Sequence, residues 1–548
     1  MAGQLAGQPI IIKDEDKTRT TGREALGYNI TAANAIAKAV KTTLGPKGMD
    51  KMLVNQVGDM VISNDGATIL RQLDIKHPAA KMMVEIARTQ EDKAGDGTTS
   101  AVVLAGELLN KALKMVEQGI HPTTITRGYS LASVKALEIL DGMAINTSEE
   151  HLENIARTAL TGKSADLALE PLVQVCVQTA KAIKEGDKVN IKENINIIHQ
   201  RGGSLKDIKF VHGLVLDKVR IHKNMPKKVE NAKIAVLDVG IEVKKTQLDS
   251  KINITSPELL KEARLEESKL VEEKVEALAK SGANVVFTEK GIDDIAMHYL
   301  AKKRIYVLRR CKEEEIKKIV KATGARVVSK LDEIEERDIG KAEVVEERGI
   351  GNYKMTYIEG CKNPKAVSIL IYSGTEQVAD EIERALDDAL RVVGVVIEDG
   401  RIVPGGGAPE IEMSQKLRAY ATTVGGKEQV AIMAYSDALE EIPKGIAENA
   451  GLNAIDAIVE LRNEHSKGVV TAGLDIFTGK SIDMVTAGIV EPLRVKTQEI
   501  KSATDAANMI LRVDDVLMAE ETGMMDVKPE HTADYYDGIQ APDVGDDF

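Results

Sequence analysis

Gly95-Asp96-Gly97-Thr98-Thr99-Ser100 joins two glycines, a carboxylate and three hydroxyls directly before an apolar helical pattern of Val102, Val103, Leu108, Leu109, Leu113 and Val116. Glycines let the backbone turn tightly and approach a ligand closely. Unbonded N–H groups at a helix start, reinforced by the helix dipole, favour an anion. Asp96, set between the glycines, offers the hard oxygen ligand that Mg²⁺ prefers. This is the chemistry of a phosphate–metal cradle. The six residues alone leave a second reading open, a loop closed by a Ser/Thr helix cap.

Other residues suited to phosphate chemistry lie far apart in the chain. Leu44-Gly45-Pro46-Lys47-Gly48 ends a helical pattern that runs from Thr31 to about Thr43, and Gly followed by Pro is enough to stop it. The same loop offers free backbone and one cation. Asn64-Asp65-Gly66 is a strong turn signal, and on its own Asp65 reads as the turn's aspartate. Thr161-Gly162-Lys163-Ser164 looks like the end of a Walker A loop, but Arg157 stands where that motif needs its first glycine. Gly479-Lys480-Ser481 fails in the same way at Leu474. A nucleotide site here must be of another kind. In the pattern Glu376 to Ile397, Asp387 falls away from the apolar face and Asp388 lies at its edge, either aimed into a cleft or half-exposed. Pro404-Gly405-Gly406-Gly407 is a loop where the backbone approaches something closely.

These residues need several elements to bring them together. The chain has 548 residues, long for a single core, and 43% of them are hydrophobic. The net charge of −13 and the 3% of aromatics, with no Trp, argue against nucleic acid as a partner. No apolar run is long enough to span a membrane, and Met1 to Lys17 lacks a signal-peptide layout. Cys176, Cys311 and Cys361 show no paired spacing, which suits a reducing cytoplasm rather than a disulfide framework or a zinc site. The first 141 residues read as mostly helical after a β-prone run, Ile10-Ile11-Ile12, with a hairpin pattern over Lys51–Val54 and Met60–Ser63. From Ile195 the character changes. Strands at Ile195–Ile198, Ile208–Leu216, Lys233–Asp238, Asn284–Thr288, Ile305–Leu308 and Arg326–Val328 alternate in their later part with helices, as in an α/β domain with a parallel component. Within it, Ile241 to Ser281 is an insertion. Ser256 and Pro257 open a charged helix there with a thin apolar stripe of Leu260, Ala263, Leu270, Val271 and Leu278, expected to project from the body. Strands Lys354–Ile358 and Ala366–Tyr372 follow, and helical patterns return over 376–397, 410–465 and, opened by Glu491-Pro492, up to Glu520. The acidic end from Met525 reads as a flexible tail.

Taken in order, Leu44-Gly45-Pro46-Lys47-Gly48, Asn64-Asp65-Gly66-Ala67-Thr68, the Gly95–Ser100 segment, Asp387-Asp388-Ala389-Leu390 and Gly405-Gly406-Gly407 resemble the chaperonin family over nearly the whole chain. The resemblance is to group II, the archaeal and eukaryotic cytosolic type. The 241–281 insertion matches that group's helical protrusion, a built-in lid, and the C-terminus lacks the Gly-Gly-Met repeats of the bacterial type. The resemblance implies an α + α/β multidomain fold with three nested domains. A helical equatorial domain would comprise residues 1–147 and 403–524, and a small hinge domain 148–218 and 370–402. An inserted α/β apical domain would span 219–369 with its protrusion at about 244–280, leaving 525–548 as the tail.

The resemblance also implies ATP and Mg²⁺ as cofactors and assigns residues to them. Leu44, Gly45, Pro46 and the segment Asp96, Gly97, Thr98, Thr99 and Ser100 would hold the phosphates, with Asp96 as the magnesium ligand. Asp65 and Asp388 would position and polarise the attacking water, and Gly162 and Lys163 would meet the terminal phosphate. Gly405, Gly406 and Glu491 would lie at the nucleoside, with Asp475 and Ile476 near the base. The implied assembly is two stacked rings of eight or nine like or unlike subunits in the cytoplasm, enclosing unfolded client proteins without a separate lid co-chaperonin. Clients would be gripped around Ile292 to Leu300 and the protrusion. Two other readings compete. A metabolic ATP-dependent ligase or kinase would need a small-molecule constellation that the chain does not display. A non-catalytic scaffold ring would have no use for Asp65, Asp96 and Asp388.

Overall fold

Short β-prone segments near the two ends of the chain find each other: Arg19–Thr21 pairs antiparallel with Asp515–Leu517. The computed structural model describes residues 19–54, 58, 60–163, 168–186, 188–242, 257–350, 353–361 and 366–517. The Ile10–Ile12 run, the 244–255 part of the insertion and the tail from Met525 lie outside the described residues. The chain forms two compact units, one from residues before 29 and after 512, the other Asn29–Arg512.

In the second unit, apolar stripes at helical spacing pack helices from both halves of the chain against one another. Pro78–Ala94, Thr98–Glu117 and Pro122–Met143 come from the first half; Ala408–Val424, Gly426–Leu439 and Leu493–Leu511 from the second. Leu104, Leu108, Ile125 and Leu140 are fully buried there. Tyr129 and Tyr435 meet edge-on with ring centroids 5.6 Å apart, the arrangement ring quadrupoles favour. Each buried hydroxyl finds a partner: Tyr129 donates to the Leu108 carbonyl at 2.8 Å, and Tyr435 lies 2.8 Å from the Thr504 hydroxyl. The hairpin of Lys51–Val54 and Met60–Ser63 forms as its pattern predicts.

The middle of the chain builds a seven-stranded sheet in the order Tyr306–Leu308, Val285–Thr288, Lys228–Leu237, Gly340–Ile350, Tyr353–Glu359 and Gly213–Leu216, with Val327–Val328 also on Lys228–Leu237. The expected parallel component is the set 306–308, 285–288 and 228–237 with 327–328; the remaining pairings are antiparallel. Gly340–Ile350 is a strand that periodicity did not reveal, because Glu343, Glu346, Glu347 and Arg348 break its apolar alternation. The single strand expected over Ile208–Leu216 is two. Lys209–Val211 pairs with Val367–Ser373, and Gly213–Leu216 crosses to the large sheet.

A second layer of packing joins Glu149–Leu160, Leu169–Ala182 and Glu376–Asp399 over the sheet of Ile195–Arg201 and Val367–Ser373, with Ile155, Leu160, Cys176, Leu386 and Val393 at its centre. The Pro257–Lys280 helix is anchored by the C-terminal part of its stripe, Val271 and Leu278, while Leu270 stays outside. Val271, Val275 and Leu278 are buried against Ile292, Ala296 and Leu300, whereas Leu265 and Leu270 are exposed. Glu491 and Pro492 stand directly before a helix as expected, with Pro492 as its N-cap. They belong to strand Val490–Pro492, paired with Arg401–Pro404, and the helix is Leu493–Leu511, ending well before Glu520. Among the described residues no helix is long and apolar enough to cross a membrane.

Candidate active site

The Pro78–Ala94 helix stops at Gly95 (φ 78°), and the Thr98–Glu117 helix starts from Gly97 (φ 78°), so the chain reverses over three residues. Both angles lie in the left-handed region that glycine tolerates. A Cβ on Gly97 would sit 2.9 Å from Val495 Cγ1 and 3.0 Å from Gln90 Nε2, so no side chain fits there. The N–H of Ala101 donates to Gly97 O, the first bond of the helix. The N–H groups of Thr98, Thr99 and Ser100 therefore have no partner within it. They open onto a cavity of about 400 Å³.

That cavity gathers most of the residues the sequence singled out. Leu44, Gly45, Pro46, Asp65, Asp96, Gly97, Thr98, Thr99, Ser100, Gly162, Lys163, Gly406, Asp475, Ile476 and Glu491 line it. Asp388 and Gly405 do not. Asp388 reaches the cavity through Lys163, whose Nζ donates to Asp388 Oδ2 at 2.7 Å. The N–H of Gly405 is taken by the Ile489 carbonyl at 2.9 Å.

Asp65 is the turn's aspartate and a cavity residue at once. It caps the Gly66–Gln72 helix: its Oδ2 accepts from Thr68 N at 2.7 Å, and its Oδ1 accepts from the Thr98 hydroxyl at 3.0 Å. The Thr98 bond ties the cap to the glycine turn. Asp96 Oδ1 accepts from the N–H of Gly97 at 2.7 Å. Gly162 (φ 81°) lies so close to the phosphate-loop candidate that a Cβ would meet Pro46 O at 2.3 Å. Its carbonyl accepts from Asn64 Nδ2 at 3.1 Å. The segment after the Glu149–Leu160 helix is thus pinned between the 44–46 loop and the turn that carries Asp65.

Electrostatics single out the Lys163–Asp388 pair. Burial opposes the charge on Lys163, but Asp388, Asp96 and Asp65 outweigh it and hold the ammonium well above the usual lysine range. For Asp388, burial outweighs the attraction of Lys163 and, with the negative Asp65 beside it, pushes the carboxyl up to about 7. Three carboxylates around one ammonium leave a surplus of negative charge beside free N–H donors. A hard divalent cation together with phosphate oxygens satisfies both halves of that set. Asp387, by contrast, pairs with Arg391 at 2.6 Å and takes no part.

Part of the lining is apolar: Ile442, Ile446, Leu474, Ile476, Phe477 and Ile489 face the cavity, as a nucleobase requires. Asp475 spends its carboxylate on its own turn. Burial works against its charge, but the Thr478 hydroxyl at 2.6 Å and the Phe477 N–H at 3.0 Å outweigh that and lower its pKa. Its neighbour Ile476 lends its carbonyl to Lys47 Nζ at 3.4 Å. Sequence reasoning did not identify Asn64, Phe477 or Lys496 as cavity residues. Asn64 adjoins Asp65 and Phe477 adjoins Ile476, so both carried a visible signal; Lys496 was invisible because only the fold brings its segment to the 95–97 turn.

Residues 36–521 match the model of the TCP-1/cpn60 chaperonin family. The chain is 52% identical over 521 residues to a thermosome subunit of Methanopyrus kandleri, covering 94% of this chain and 96% of that one. It is 52% identical over 522 residues to thermosome subunit alpha of Archaeoglobus fulgidus, at the same coverage. With thermosome subunit beta of that organism the identity is 51% over 522 residues, again 94% of this chain and 96% of the relative.

Proposed function

The chain belongs to the TCP-1/cpn60 chaperonin family, and on that premise we propose that its 400 Å³ cavity is where ATP is bound and cut to drive protein folding. It is an ATP-dependent chaperonin subunit of a ring complex, an ATPase whose turnover is coupled to the folding of other proteins. The residue roles are our reading. Leu44, Gly45, Pro46 and the start of the Thr98–Glu117 helix hold the phosphates with backbone N–H groups and hydroxyls. A Mg²⁺ held by Asp96 would neutralise phosphate oxygens. Lys163 binds the terminal phosphate. Asp65, fixed by Thr68 and Thr98, and Asp388, fixed by Lys163, orient the attacking water. The water oxygen bonds to the terminal phosphorus, the bond to the bridging oxygen breaks, and the water proton passes to Asp388. Phosphoryl transfer asks for positioning and charge of this kind. Gly406 and Glu491 lie at the nucleoside and the apolar part of the lining takes the base. The observation that carries the reading is the Lys163–Asp388 ion pair at 2.7 Å within electrostatic reach of Asp65 and Asp96.

The wider assignments are proposals on the same footing. The 219–369 segment, with most of the seven-stranded sheet, is the apical domain, and the 148–218 and 370–402 segments form the hinge. The helices packed from both ends of the chain are the equatorial domain. The 241–281 insertion serves as lid, so no separate lid protein is needed. Subunits, alike or of alpha and beta kinds as the relatives' names suggest, stack in two cytoplasmic rings around unfolded clients. The experiment is Asp96→Ala in the assembled protein. Mg²⁺-dependent ATP turnover should fall to background while the rings persist by gel filtration. Turnover equal to the parent's would refute the site.

A further inference from the structure

In the cavity wall, one ammonium serves three acids. Lys496 Nζ lies 2.7 Å from Glu410 Oε1, 3.1 Å from Glu491 Oε2 and 3.3 Å from Glu499 Oε2. The Lys496 side chain is 6% exposed, that of Glu410 0% and that of Glu499 1%, whereas Glu491 is 25% exposed and lines the cavity. As a stability device the cluster is poor. One carboxylate would satisfy the lysine, and each further buried charge costs desolvation that the pair energy does not recover. Burial together with its acidic neighbours raises the pKa of Glu499.

The residue before it makes a second set of ties. Val495 O accepts from Gln90 Nε2 at 3.1 Å, and the same amide donates to Asp96 O at 2.8 Å. Gln90 is fully buried, and the Val495 side chain fills the space a Cβ on Gly97 would need. Two consecutive residues on the first turn of the Leu493–Leu511 helix therefore hold two separate parts of the cavity lining. Val495 holds the 95–97 turn and Lys496 holds Glu491.

We infer that this turn is a shared anchor setting the spacing between the phosphate part and the nucleoside part, with Lys496 as the residue that positions Glu491. The inference rests on the reading of the cavity as the ATP site. Lys496, in the cavity wall with its side chain 6% exposed, acts through Glu491, so losing it removes the nucleoside's share of binding and leaves the phosphate share. Gln90 acts at the other part.

The test compares ADP with inorganic tripolyphosphate, which has phosphates and no nucleoside, as inhibitors of ATP turnover by the assembled protein. For Lys496→Met, ADP inhibition should weaken roughly ten- to hundredfold, the worth of a charged contact, while tripolyphosphate inhibition stays within about threefold of the parent. Gln90→Met should weaken both ligands alike. The double variant Lys496→Met/Glu491→Gln should be no weaker for ADP than either single change, since the two residues would form one unit. If Lys496→Met does not fold, the triple change Lys496→Met/Glu410→Gln/Glu499→Gln removes the excess charge and carries the same expectation. Equal weakening of ADP and tripolyphosphate by the lysine change, or unchanged ADP inhibition, overturns the inference. Failure of the site itself reads differently: parent-level turnover in Asp96→Ala.

Discussion

Asp388 carries the pH dependence that the site should show. Its carboxyl is held up to about 7, by burial first and then by the acids beside it, against the pull of Lys163. The form that accepts a proton from water is the carboxylate, so activity rises as pH rises through that value and falls tenfold per unit below it. The profile of kcat/KM reports the free enzyme, where this value applies. Asp388→Asn should abolish that limb and lower kcat by roughly 10²- to 10⁴-fold, the usual worth of a general base. Any limb that persists in the variant belongs to the substrate or to another group. A parent profile flat between pH 6 and 8 would exclude Asp388 as the base. At this scale the sequence was legible for Asp96 and its glycines, whose types alone describe a phosphate–metal cradle. Asp65 and Asp388 had no such clarity. One caps a helix and the other sits at the rim of an apolar stripe, and only the 2.7 Å bond from Lys163, 225 residues away, makes Asp388 part of a site.

Elements decide how closely those residues can come together. Gly162 and Gly400 have similar left-handed backbones, φ 81° and 66°, but different surroundings. A Cβ on Gly400 would meet nothing within 4 Å, whereas on Gly162 it would strike the Pro46 backbone. Alanine at either position costs about 1 kcal/mol or more in backbone strain. Gly162→Ala should in addition push the Lys163 turn off the 44–46 loop. We expect it to lower kcat at least about tenfold with an unchanged circular dichroism spectrum, while Gly400→Ala loses a few degrees of Tm and keeps its turnover. Equal activity in the two variants would mean that the Gly162–Pro46 contact does not position Lys163. Most elements were readable because apolar period and punctuation agreed, as in the Glu376–Asp399 helix that carries Asp388 and ends at Gly400. The failures share a cause. Gly340–Ile350 is a charged strand whose partners are both distant and neighbouring, and the short strand Val490–Pro492, set just before its helix and paired with Arg401–Pro404, left no local mark. Local pattern carries no information about such pairing.

At the scale of the whole molecule, the lid reading has a prediction that the packing makes sharper than the sequence did. The sequence reads the insertion as a helix that projects from the body. The Pro257–Lys280 helix contradicts that, because its second half is core. Val271, Val275 and Leu278 are buried, Ser268 lies 3.0 Å from the Tyr299 hydroxyl, and Lys274 Nζ donates to Glu242 O at 2.6 Å. Losing three buried aliphatic side chains removes about 1.5–3 kcal/mol each, a large part of the roughly 5–15 kcal/mol that holds a domain folded. Deleting 244–280 should therefore expose the middle sheet to protease whether or not the arm is a lid. The informative cut replaces 245–265 with a short Gly/Ser linker, which spares those three residues. In that variant rings should assemble and ATP turnover should stay within about twofold of the parent, because the cavity lies in other elements. A client bound before ATP is added should then be digested by protease, where the parent protects it. Full protection in the shortened variant would show that the arm does not close the chamber, and the apical surface around Ile292 to Leu300 would have to enclose the client by itself.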